Sequence, residues 1–405
     1  MNYYKRTADA LLQDLLDAFG AVLIEGPKWC GKTTTASQLA NSILRMQDPS
    51  MREEYLATAK TKPSILLKGD TPRLIDEWQD APMLWDAVRT TVDDRQIPGQ
   101  FILTGSNAVD KSQIHHSGAG RIARLRMLPM SLWESQESTG EVSLKELFNN
   151  PDYDIDGKMS KMTVEDLIFA ASRGGWPASL LARTPKAQLL VAKNYVQTIC
   201  SDDVSGIDGK KRDAKLTSMI LRAYARNVST LVKKKSLLDD VTSSGEVSCH
   251  VDTFDDYVSA LEKLFVIQNI SAWCPAIRSK TAIRSSVKRC FCDPSIPIAL
   301  LGLSPESLSM QLRTFGFIFE QMCIRDLKAY TIDLNSHVSY YHDRYDLEAD
   351  IVLHLEDGRY ALIECKLGSS EIDEGAKHLL ELKRLIQEHN KTEKQVPIRE
   401  PDLLT

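Results

Sequence analysis

The sequence predicts an α/β protein with more than one domain, and three features of the chain support this prediction. A glycine-rich loop separates an apolar strand from a helix near the N-terminus, amphipathic helices dominate from about residue 135, and two apolar strands that carry carboxylates lie near the C-terminus. A chain of 405 residues, with 43% hydrophobic and 26% charged residues, is typical of a protein with two to three domains.

The first feature is the segment Gly26–Thr33, which fills every fixed position of the phosphate-binding pattern G-x-x-x-x-G-K-[ST]. The apolar run Ala21–Ile24 precedes it and predicts a buried strand, and Thr34–Ala40 predicts the start of a helix. Because a helix N-terminus presents backbone N–H groups to phosphate oxygens, this context predicts a site for ATP or GTP. The residues expected to contact the nucleotide are Gly26, Pro27, Lys28, Trp29, Cys30, Gly31, Lys32, Thr33 and Thr34.

A magnesium-dependent reaction requires particular side chains around such a loop. Lys32 is expected to reach the outer phosphates, and the Thr33 hydroxyl is expected to ligate Mg²⁺. The segment Arg73–Glu77 predicts a short strand that ends in two acidic residues, where Asp76 would hold Mg²⁺ through water and Glu77 would polarise the attacking water. An acidic pair after a strand is also common on surfaces, so this assignment depends on the preceding loop.

A third strand, Phe101–Asn107, is apolar and then polar at its end. Ligands of open α/β sheets bind at the carboxyl ends of strands, which places Thr104, Ser106 and Asn107 where they could sense the γ-phosphate or the water. Arg121 follows in a glycine-rich segment and is a candidate arginine finger toward a nucleotide in the same or a neighbouring subunit. The alternative is a surface arginine that pairs with a neighbouring group.

The middle of the chain predicts helices near 188–200 and 215–227, and a tight turn with close backbone approach at Arg173–Pro177. The order of helix, turn, helix Thr253–Phe265 and strand Val266–Ile270 suggests a winged-helix unit. Between residues 205 and 292 there are 15 Lys and Arg residues against 9 Asp and Glu residues, which favours phosphate contacts. However, the helix Thr253–Phe265 itself carries acidic residues and is better interpreted as a packing helix. DNA binding therefore stays an open alternative to a solvated charged face.

Near the C-terminus, Gly316–Leu327 predicts a largely buried helix that contains Glu320, and Glu348–Leu355 and Arg359–Lys366 predict two strands. A three-residue loop with Gly358 in the left-handed conformation would place Asp350 opposite Glu364. Two acidic strand residues, the helical Glu320 and Lys366 on one face would suit metal-dependent phosphodiester cleavage, with Glu320, Asp350 and Glu364 as a second metal site and Lys366 as the catalytic cation. The alternative is an ordinary ion pair between Glu364 and Lys366 on an exposed strand.

Together these motifs resemble a family of prokaryotic P-loop ATPases of the AAA/STAND type that carry a C-terminal domain of uncharacterised function. The resemblance rests on the segments 26–35, 74–79, 101–106, 120–121, 128–134, 174–177, 293–294, 316–320, 348–350 and 363–366. It implies a RecA-like P-loop core at 1–134, a helical lid or linker at 135–204, a winged-helix-like domain at 205–303 and a PD-(D/E)XK, restriction-endonuclease-like domain at 304–405. Lys28-Trp29-Cys30 and Cys365 depart from the usual family pattern without removing a catalytic group.

Several function classes are disfavoured by composition. The formal net charge of -5 gives no global attraction to nucleic acid or to acidic membranes, and no apolar run approaches the length of a membrane span. Without a signal-peptide pattern, and with eight scattered cysteines expected to be reduced thiols, the chain is expected to be cytoplasmic. We expect a Mg²⁺-dependent ATPase that couples its nucleotide state to the nuclease-like domain, with DNA, a protein or a second copy as partner. The alternative is a nucleotide-gated scaffold whose nuclease-like domain is inactive and serves protein interaction.

Overall fold

The computed structural model describes residues 3–106, 116–150, 152–243, 245–274, 286–343, 347–392 and 402–404. The chain divides into two compact units, one formed by Met1–Met130 with Lys263–Phe265 and the other by Ser131–Glu262 with Val266–Thr405. The finer boundaries expected at 204/205 and 303/304 stay predictions. In the described part of the chain, no helix combines the length and apolarity that a bilayer crossing requires.

The first unit is built on a five-stranded sheet in which all neighbouring strands are parallel. In chain order the strands β1 to β5 are Ala21–Glu25, Ser42–Arg45, Arg73–Asp76, Phe101–Gly105 and Ile122–Arg126. The helices α1 to α4 are Ala8–Ala18, Lys32–Leu39, Arg52–Thr61 and Met83–Arg95. The spatial order is β2-β3-β4-β1-β5, so β1 lies between β4 and β5.

The register of this sheet brings the predicted motifs to one edge. All five residues of β1 and all five of β4 are buried, as the apolar sequence of a central parallel strand requires. Glu25 at the end of β1 is aligned with Gly105 at the end of β4, and Asp76 at the end of β3 is aligned with Thr104. The carboxyl ends of β1, β3 and β4 therefore meet where the phosphate loop begins. β3 ends at Asp76, one residue earlier than predicted, because Glu77 takes a left-handed conformation (φ 55°). β4 ends at Gly105, two residues before the predicted end at Asn107.

The remainder of the chain is helical up to its last sheet. Its helices α5 to α16 are Leu144–Asn149, Val164–Arg173, Pro177–Leu180, Pro185–Thr198, Val204–Gly206, Ala214–Arg226, Lys234–Thr242, Val251–Lys263, Ser295–Leu301, Pro305–Ser309, Leu312–Tyr330 and Ser369–Thr392. Side-chain caps start several of them; Asp213, for example, accepts the Leu216 N–H at the start of α10. α12 buries Phe254, Tyr257 and Leu261, which confirms its interpretation as a packing helix.

The predicted strand Val266–Ile270 is only partly confirmed, because this segment forms two isolated antiparallel bridges and no continuous strand. Ile267 pairs with Phe291, and Ile270 pairs with Lys288. Three helices followed by this paired segment agree in order with the winged-helix expectation, which stays a prediction.

The tight turn predicted at Arg173–Pro177 is confirmed and is anchored by a buried carboxylate. Asp293 Oδ2 accepts the Gly175 N–H at 2.9 Å and lies 3.0 Å from Arg325 Nη1. A Cβ at Gly174 would lie 2.4 Å from Ser295 Oγ, so the close approach requires glycine. Asp293 and Arg325 are both buried and pair with each other without solvent contact.

The C-terminal sheet has the order β6-β7-β8-β9, with strands Ser336–His342, Glu348–Leu355, Tyr360–Ile363 and Asp402–Leu404. β7 spans the predicted residues, whereas β8 is shorter than the predicted Arg359–Lys366. The loop has the predicted form: the Leu355 N–H donates to the Arg359 carbonyl, and Gly358 between them is left-handed (φ 89°). Ile351 is aligned with Ile363, which places Asp350 opposite Glu364 and confirms the predicted register.

Candidate functional site

The phosphate loop runs from the end of β1 to the start of α2 and has the backbone that close contact with phosphate requires. A Cβ at Gly26 would lie 2.2 Å from the main-chain oxygen of Met127, so only glycine fits there. Gly31 caps α2 in a left-handed conformation (φ 102°). Trp29, also left-handed, is exposed at the outside of the loop. The backbone from Gly26 to Thr34 thus has the predicted loop and helix N-terminus, and phosphate binding by it stays a prediction.

Lys32 lies inside this loop. Its ammonium donates to the carbonyl of Gly26 at 3.0 Å and to the carbonyl of Pro27 at 2.9 Å, and the residue is buried. A buried ammonium surrounded by loop backbone is placed to contact phosphate oxygens in the same cradle.

The structure joins Thr33 and Asp76 directly. Asp76 Oδ1 accepts hydrogen bonds from Thr33 Oγ1 at 2.7 Å and from Thr104 Oγ1 at 2.6 Å. Hydroxyl and carboxylate oxygens are the ligands that Mg²⁺ prefers, so this pair fits a nucleotide-bound Mg²⁺ held by Thr33 and, through water, by Asp76. The sequence analysis predicts the same two residues, Thr33 and Asp76, as those that hold Mg²⁺.

Glu77 is oriented by three neighbours. Its backbone N–H donates to Thr104 Oγ1 at 3.3 Å, its Oε1 accepts from Ser106 Oγ at 3.3 Å, and its Oε2 accepts from Gln79 Nε2. Ser106 was expected to sense the nucleotide, and in this structure it contacts the predicted catalytic carboxylate. The role of Gln79 was not anticipated from the sequence. Asn107, the remaining predicted sensor, lies outside the described residues.

Two residues near the N-terminus support the loop from behind and were not identified by sequence reasoning. Arg6 is buried and donates to the carbonyl of Cys30 and to the carbonyl of Leu128, each at 2.7 Å. The Tyr3 hydroxyl is 2.9 Å from Thr35 Oγ1 on α2. A single basic residue ahead of a helix gives no signal for this role, since its partners are 24 and 122 residues away.

Arg121 does not reach the loop, which corrects the expectation of a finger toward a nucleotide in the same subunit. It immediately precedes β5, and Ile122 is aligned with Ala21 at the start of β1, so Arg121 lies at the opposite edge of the sheet. Its guanidinium is exposed and pairs with Asp93, 2.7 Å away, which is the surface role given as the alternative. A finger toward a neighbouring subunit stays a prediction.

The C-terminal carboxylates line a cavity of about 830 Å³ between α15, β7, the segment that follows β8, and α16. Glu320, Asp350, Glu364 and Lys366 all contribute to its wall, so the structure brings the four predicted residues to one cavity. Asp350 is fixed in place because its Oδ2 accepts the Cys365 N–H at 2.9 Å. Three further acidic residues, Glu348, Glu371 and Glu374, also line the cavity.

A lysine that the sequence analysis left unassigned reaches these carboxylates. Lys288 Nζ lies 2.5 Å from Glu320 Oε1, 2.9 Å from the Asp350 carbonyl oxygen and 3.9 Å from Asp350 Oδ1. Burial opposes the charged form of this amine, but the charges of Glu320 and Asp350 outweigh burial and raise the pKa of Lys288. The ammonium is therefore the counterion of two of the three predicted metal ligands.

The third carboxylate has a different partner. Glu364 is buried, and its Oε2 lies 2.8 Å from Lys366 Nζ. Burial, followed by the charge of Asp350 opposite, raises the pKa of Glu364 to about 7, against the opposing effect of Lys366. Among the residues that the structure describes, no group of three or more His, Cys, Asp or Glu side chains is arranged to hold a metal ion. Glu320, Asp350 and Glu364 are thus near one another but are not arranged as the predicted metal site, and each lies beside a lysine ammonium.

Five of the basic residues of the middle region form ion pairs within that region. The pairs join Lys210 to Asp256, Arg212 to Asp208 and Asp256, Lys215 to Glu246, Arg226 to Asp240, and Lys234 to Asp255. The acidic residues of α12 therefore neutralise lysines that the charge count had assigned to phosphate contacts. Arg278, Lys280 and Arg284 lie outside the described residues. This pairing reduces the positive charge available to DNA, and DNA binding stays a prediction.

Three family models match parts of this chain. Residues 18–136 match an AAA domain, residues 164–307 match a domain of unknown function (DUF8612), and residues 315–400 match another domain of unknown function (DUF4143).

Similar whole proteins are also known. Uncharacterized proteins of Mycobacterium bovis and Mycobacterium tuberculosis are each 24% identical over 366 residues, which cover 88% of this chain and 72% of theirs. A solved structure described as a Walker-type ATPase of Pyrococcus abyssi aligns with a TM-score of 0.42 and 12% identity, over 74% of this chain and 96% of that one. A structure of Drosophila ORC bound to DNA aligns with a TM-score of 0.18 and 14% identity, over 75% of this chain and 84% of that one. The AAA match spans the phosphate loop, Asp76 and Ser106, so the first unit is similar to an AAA domain.

Proposed function

We propose that this protein is a Mg²⁺-dependent ATPase whose nucleotide state is coupled to its C-terminal domain. The observation that supports this most directly is the hydrogen bond between Thr33 Oγ1 and Asp76 Oδ1 beside the buried Lys32 ammonium. Next to the phosphate loop it places Thr33 and Asp76 as ligands for a hard cation, and Glu77, the next residue, is a carboxylate suited to polarise water. A loop that only binds phosphate would not need Glu77.

Each of these side chains has a distinct role in the proposed reaction. Lys32 neutralises charge on the outer phosphates, and Thr33 and Asp76 position the cation. Bound Mg²⁺ would supply positive charge against the phosphate oxygens. Glu77, held by Ser106 and Gln79, would accept a hydrogen bond from the water that attacks the γ-phosphate.

Purified full-length protein tests this proposal. We expect ATP hydrolysis that requires Mg²⁺ and is abolished by Lys32→Ala, with Lys60→Ala, a change on exposed α3, as the matched control. The absence of hydrolysis in the parent protein, or equal rates in the parent and Lys32→Ala proteins, would contradict it. A parallel measurement with GTP determines nucleotide preference.

A second candidate function is a nucleotide-gated scaffold, in which the PD-(D/E)XK-like domain is inactive and binds a protein. One observation favours it: Lys288 is bound to Glu320 and Asp350, two of the three side chains that metal-dependent cleavage would require. Fold alone does not establish nuclease activity. A RecA-like core and a winged-helix unit remain part of either proposal.

The two candidates differ in their action on nucleic acid. Single-stranded, duplex and branched DNA would be incubated with the protein, ATP and either Mg²⁺ or Mn²⁺. Cleavage that disappears in Glu364→Ala would support an active nuclease-like domain, and DNA left intact in every combination would support the scaffold. Because ATP hydrolysis is measured separately in the same samples, a failure of one activity is distinguishable from a failure of both.

A further inference from the structure

We propose that the cation position among the C-terminal carboxylates is filled by the chain's own Lys288, so that the parent protein binds no divalent metal there. The lysine ammonium then takes the place that a metal ion would have among these carboxylates. Nothing in this inference depends on ATP hydrolysis, since every residue in it belongs to the second unit.

Three oxygens of the kind that bind divalent cations lie near the Lys288 ammonium: Glu320 Oε1 at 2.5 Å, the Asp350 carbonyl oxygen at 2.9 Å and Asp350 Oδ1 at 3.9 Å. Carboxylate and carbonyl oxygens are the preferred ligands of Mg²⁺ and Mn²⁺. The ring of Tyr340 lies on another side, with its centroid 5.6 Å from Nζ. An ammonium and a divalent ion cannot both bind these oxygens. The two positive charges would repel each other, and both would need the same small volume.

The backbone prevents Lys288 from leaving easily. Its N–H donates to the Ile270 carbonyl at 2.9 Å, and the Ile270 N–H donates to the Lys288 carbonyl at 3.2 Å. The Lys288 side chain is 7% exposed, and the Glu320 side chain is 10% exposed. Expelling the ammonium would leave either a buried unpaired charge or a broken backbone pair, and both are strongly unfavourable. We infer that metal does not displace Lys288 under ordinary conditions.

The third carboxylate, Glu364, pairs with a different lysine, Lys366, which is more exposed than Lys288. Lys366 Nζ lies 2.8 Å from Glu364 Oε2, and the Lys366 side chain is 29% exposed. This lysine can move toward solvent, since it belongs to the segment after β8 and lines the open cavity. Lys288 is therefore the residue that blocks metal, and Lys366 provides a matched control at the same cavity.

Manganese binding tests the inference directly. All proteins would carry Asp76→Asn in the full-length chain, to weaken metal binding in the first unit, and free Mn²⁺ would be followed by electron paramagnetic resonance. With Lys288 present we expect no ion bound in the second unit. Lys288→Ala removes the charge and frees the volume of the ammonium, and we expect it to bind one Mn²⁺, with affinity at least roughly tenfold above that of the parent. Glu320→Gln added to Lys288→Ala should abolish that gain, and Lys366→Ala alone should show none.

Three results would overturn the inference. The first is one ion bound to the protein with Lys288 intact and lost in Glu320→Gln. The second is a folded Lys288→Ala protein that gains no ion. The third concerns folding: if Lys288→Ala misfolds in metal-free buffer, refolding with Mn²⁺ should restore the structure because the ion replaces the missing charge. Equal misfolding with and without Mn²⁺ would count against a shared cation position.

Discussion

Thr33 and Asp76 are hydrogen-bonded at 2.7 Å although 43 residues separate them in the chain. The bond connects the start of α2 to the end of β3, and it exists because both elements reach the same edge of a parallel sheet. It holds a hydroxyl and a carboxylate beside the phosphate loop. Such preorganisation lowers the cost of assembling a phosphate and metal site during turnover.

Glu77→Gln is expected to separate nucleotide binding from hydrolysis. The amide keeps the size of the side chain but cannot accept a proton, so the turnover rate should fall by about 10²-fold or more. ATP affinity should change little, because the phosphates are bound by the loop and Lys32. Steady-state hydrolysis and equilibrium binding of a fluorescent ATP analogue measure the two effects, and equal losses in both would argue against a role for Glu77 in the chemical step.

Arg6→Ala is expected to weaken the phosphate loop from behind. The change leaves the carbonyls of Cys30 and Leu128 without a buried charged donor, which should cost about 2–3 kcal/mol in the free energy of unfolding of the first unit. ATP affinity should also fall, since the loop backbone at Cys30 loses its anchor. Denaturant unfolding and ATP binding measure these effects. Arg52→Ala, at a mostly exposed arginine 3.7 Å from Asp80, should leave both nearly unchanged.

Asp293→Ala is expected to destabilise the second unit strongly. It removes the acceptor of the Gly175 N–H, and among the described residues it leaves Asp326 as the charged partner of the buried Arg325. A broken buried ion pair typically costs about 3–5 kcal/mol in unfolding free energy. The control is Asp333→Ala, which removes a partly exposed partner of Lys145 and should cost less than about 1 kcal/mol. Similar unfolding midpoints for the two variants would contradict the anchoring role of Asp293.

Acid should destabilise the second unit partly through Asp208. The hydrogen bond from Arg212 lowers the pKa of Asp208 to about 2, below the value of about 3.9 typical of an unfolded chain. An acid whose pKa is lowered by folding stabilises the protein above the unfolded value, and that stability is lost as the pH falls through the folded value. The contribution should therefore be complete above pH ~4 and disappear toward pH ~2.

Asp208→Asn tests this pH dependence. The variant should be less stable than the parent at pH 6, and the difference should shrink as the pH is lowered toward 2. Denaturant unfolding at a series of pH values measures it. Parallel stability curves for parent and variant would show that the pair with Arg212 does not carry the acid dependence.

Local patterns predicted the parts of this protein that local geometry determines. The strand, loop and helix around Gly26–Thr33 follow from an apolar run and two glycines. The pairing of Asp350 with Glu364 follows from the three-residue loop at Gly358, because loop length sets hairpin register. In both cases the residues that determine the structure are close together in the chain, so a local sequence pattern is enough to predict that structure.

Contacts between distant segments could not be predicted in this way. Lys288 meets Glu320 because α15 packs beside the segment that pairs with Ile270, and no period or motif in the sequence encodes that approach. The charge count assumes that Lys234 is available to bind phosphate, but in the structure Lys234 forms an ion pair with Asp255. Arg121 lies at the amino edge of the sheet because it precedes β5, which runs parallel to β1, and the sequence analysis did not predict this strand.

The contacts of Arg6 and Tyr3 determine how the ATPase unit can be isolated. The AAA match begins at residue 18, and a fragment cut there would discard the arginine that holds the carbonyl of Cys30 and the tyrosine beside Thr35. Such a fragment would contain every residue of the phosphate-binding motif and yet lack the support of its loop. Expression of this unit should therefore begin no later than Tyr3, and low ATP affinity in a shorter fragment would reflect the cut and not the motif.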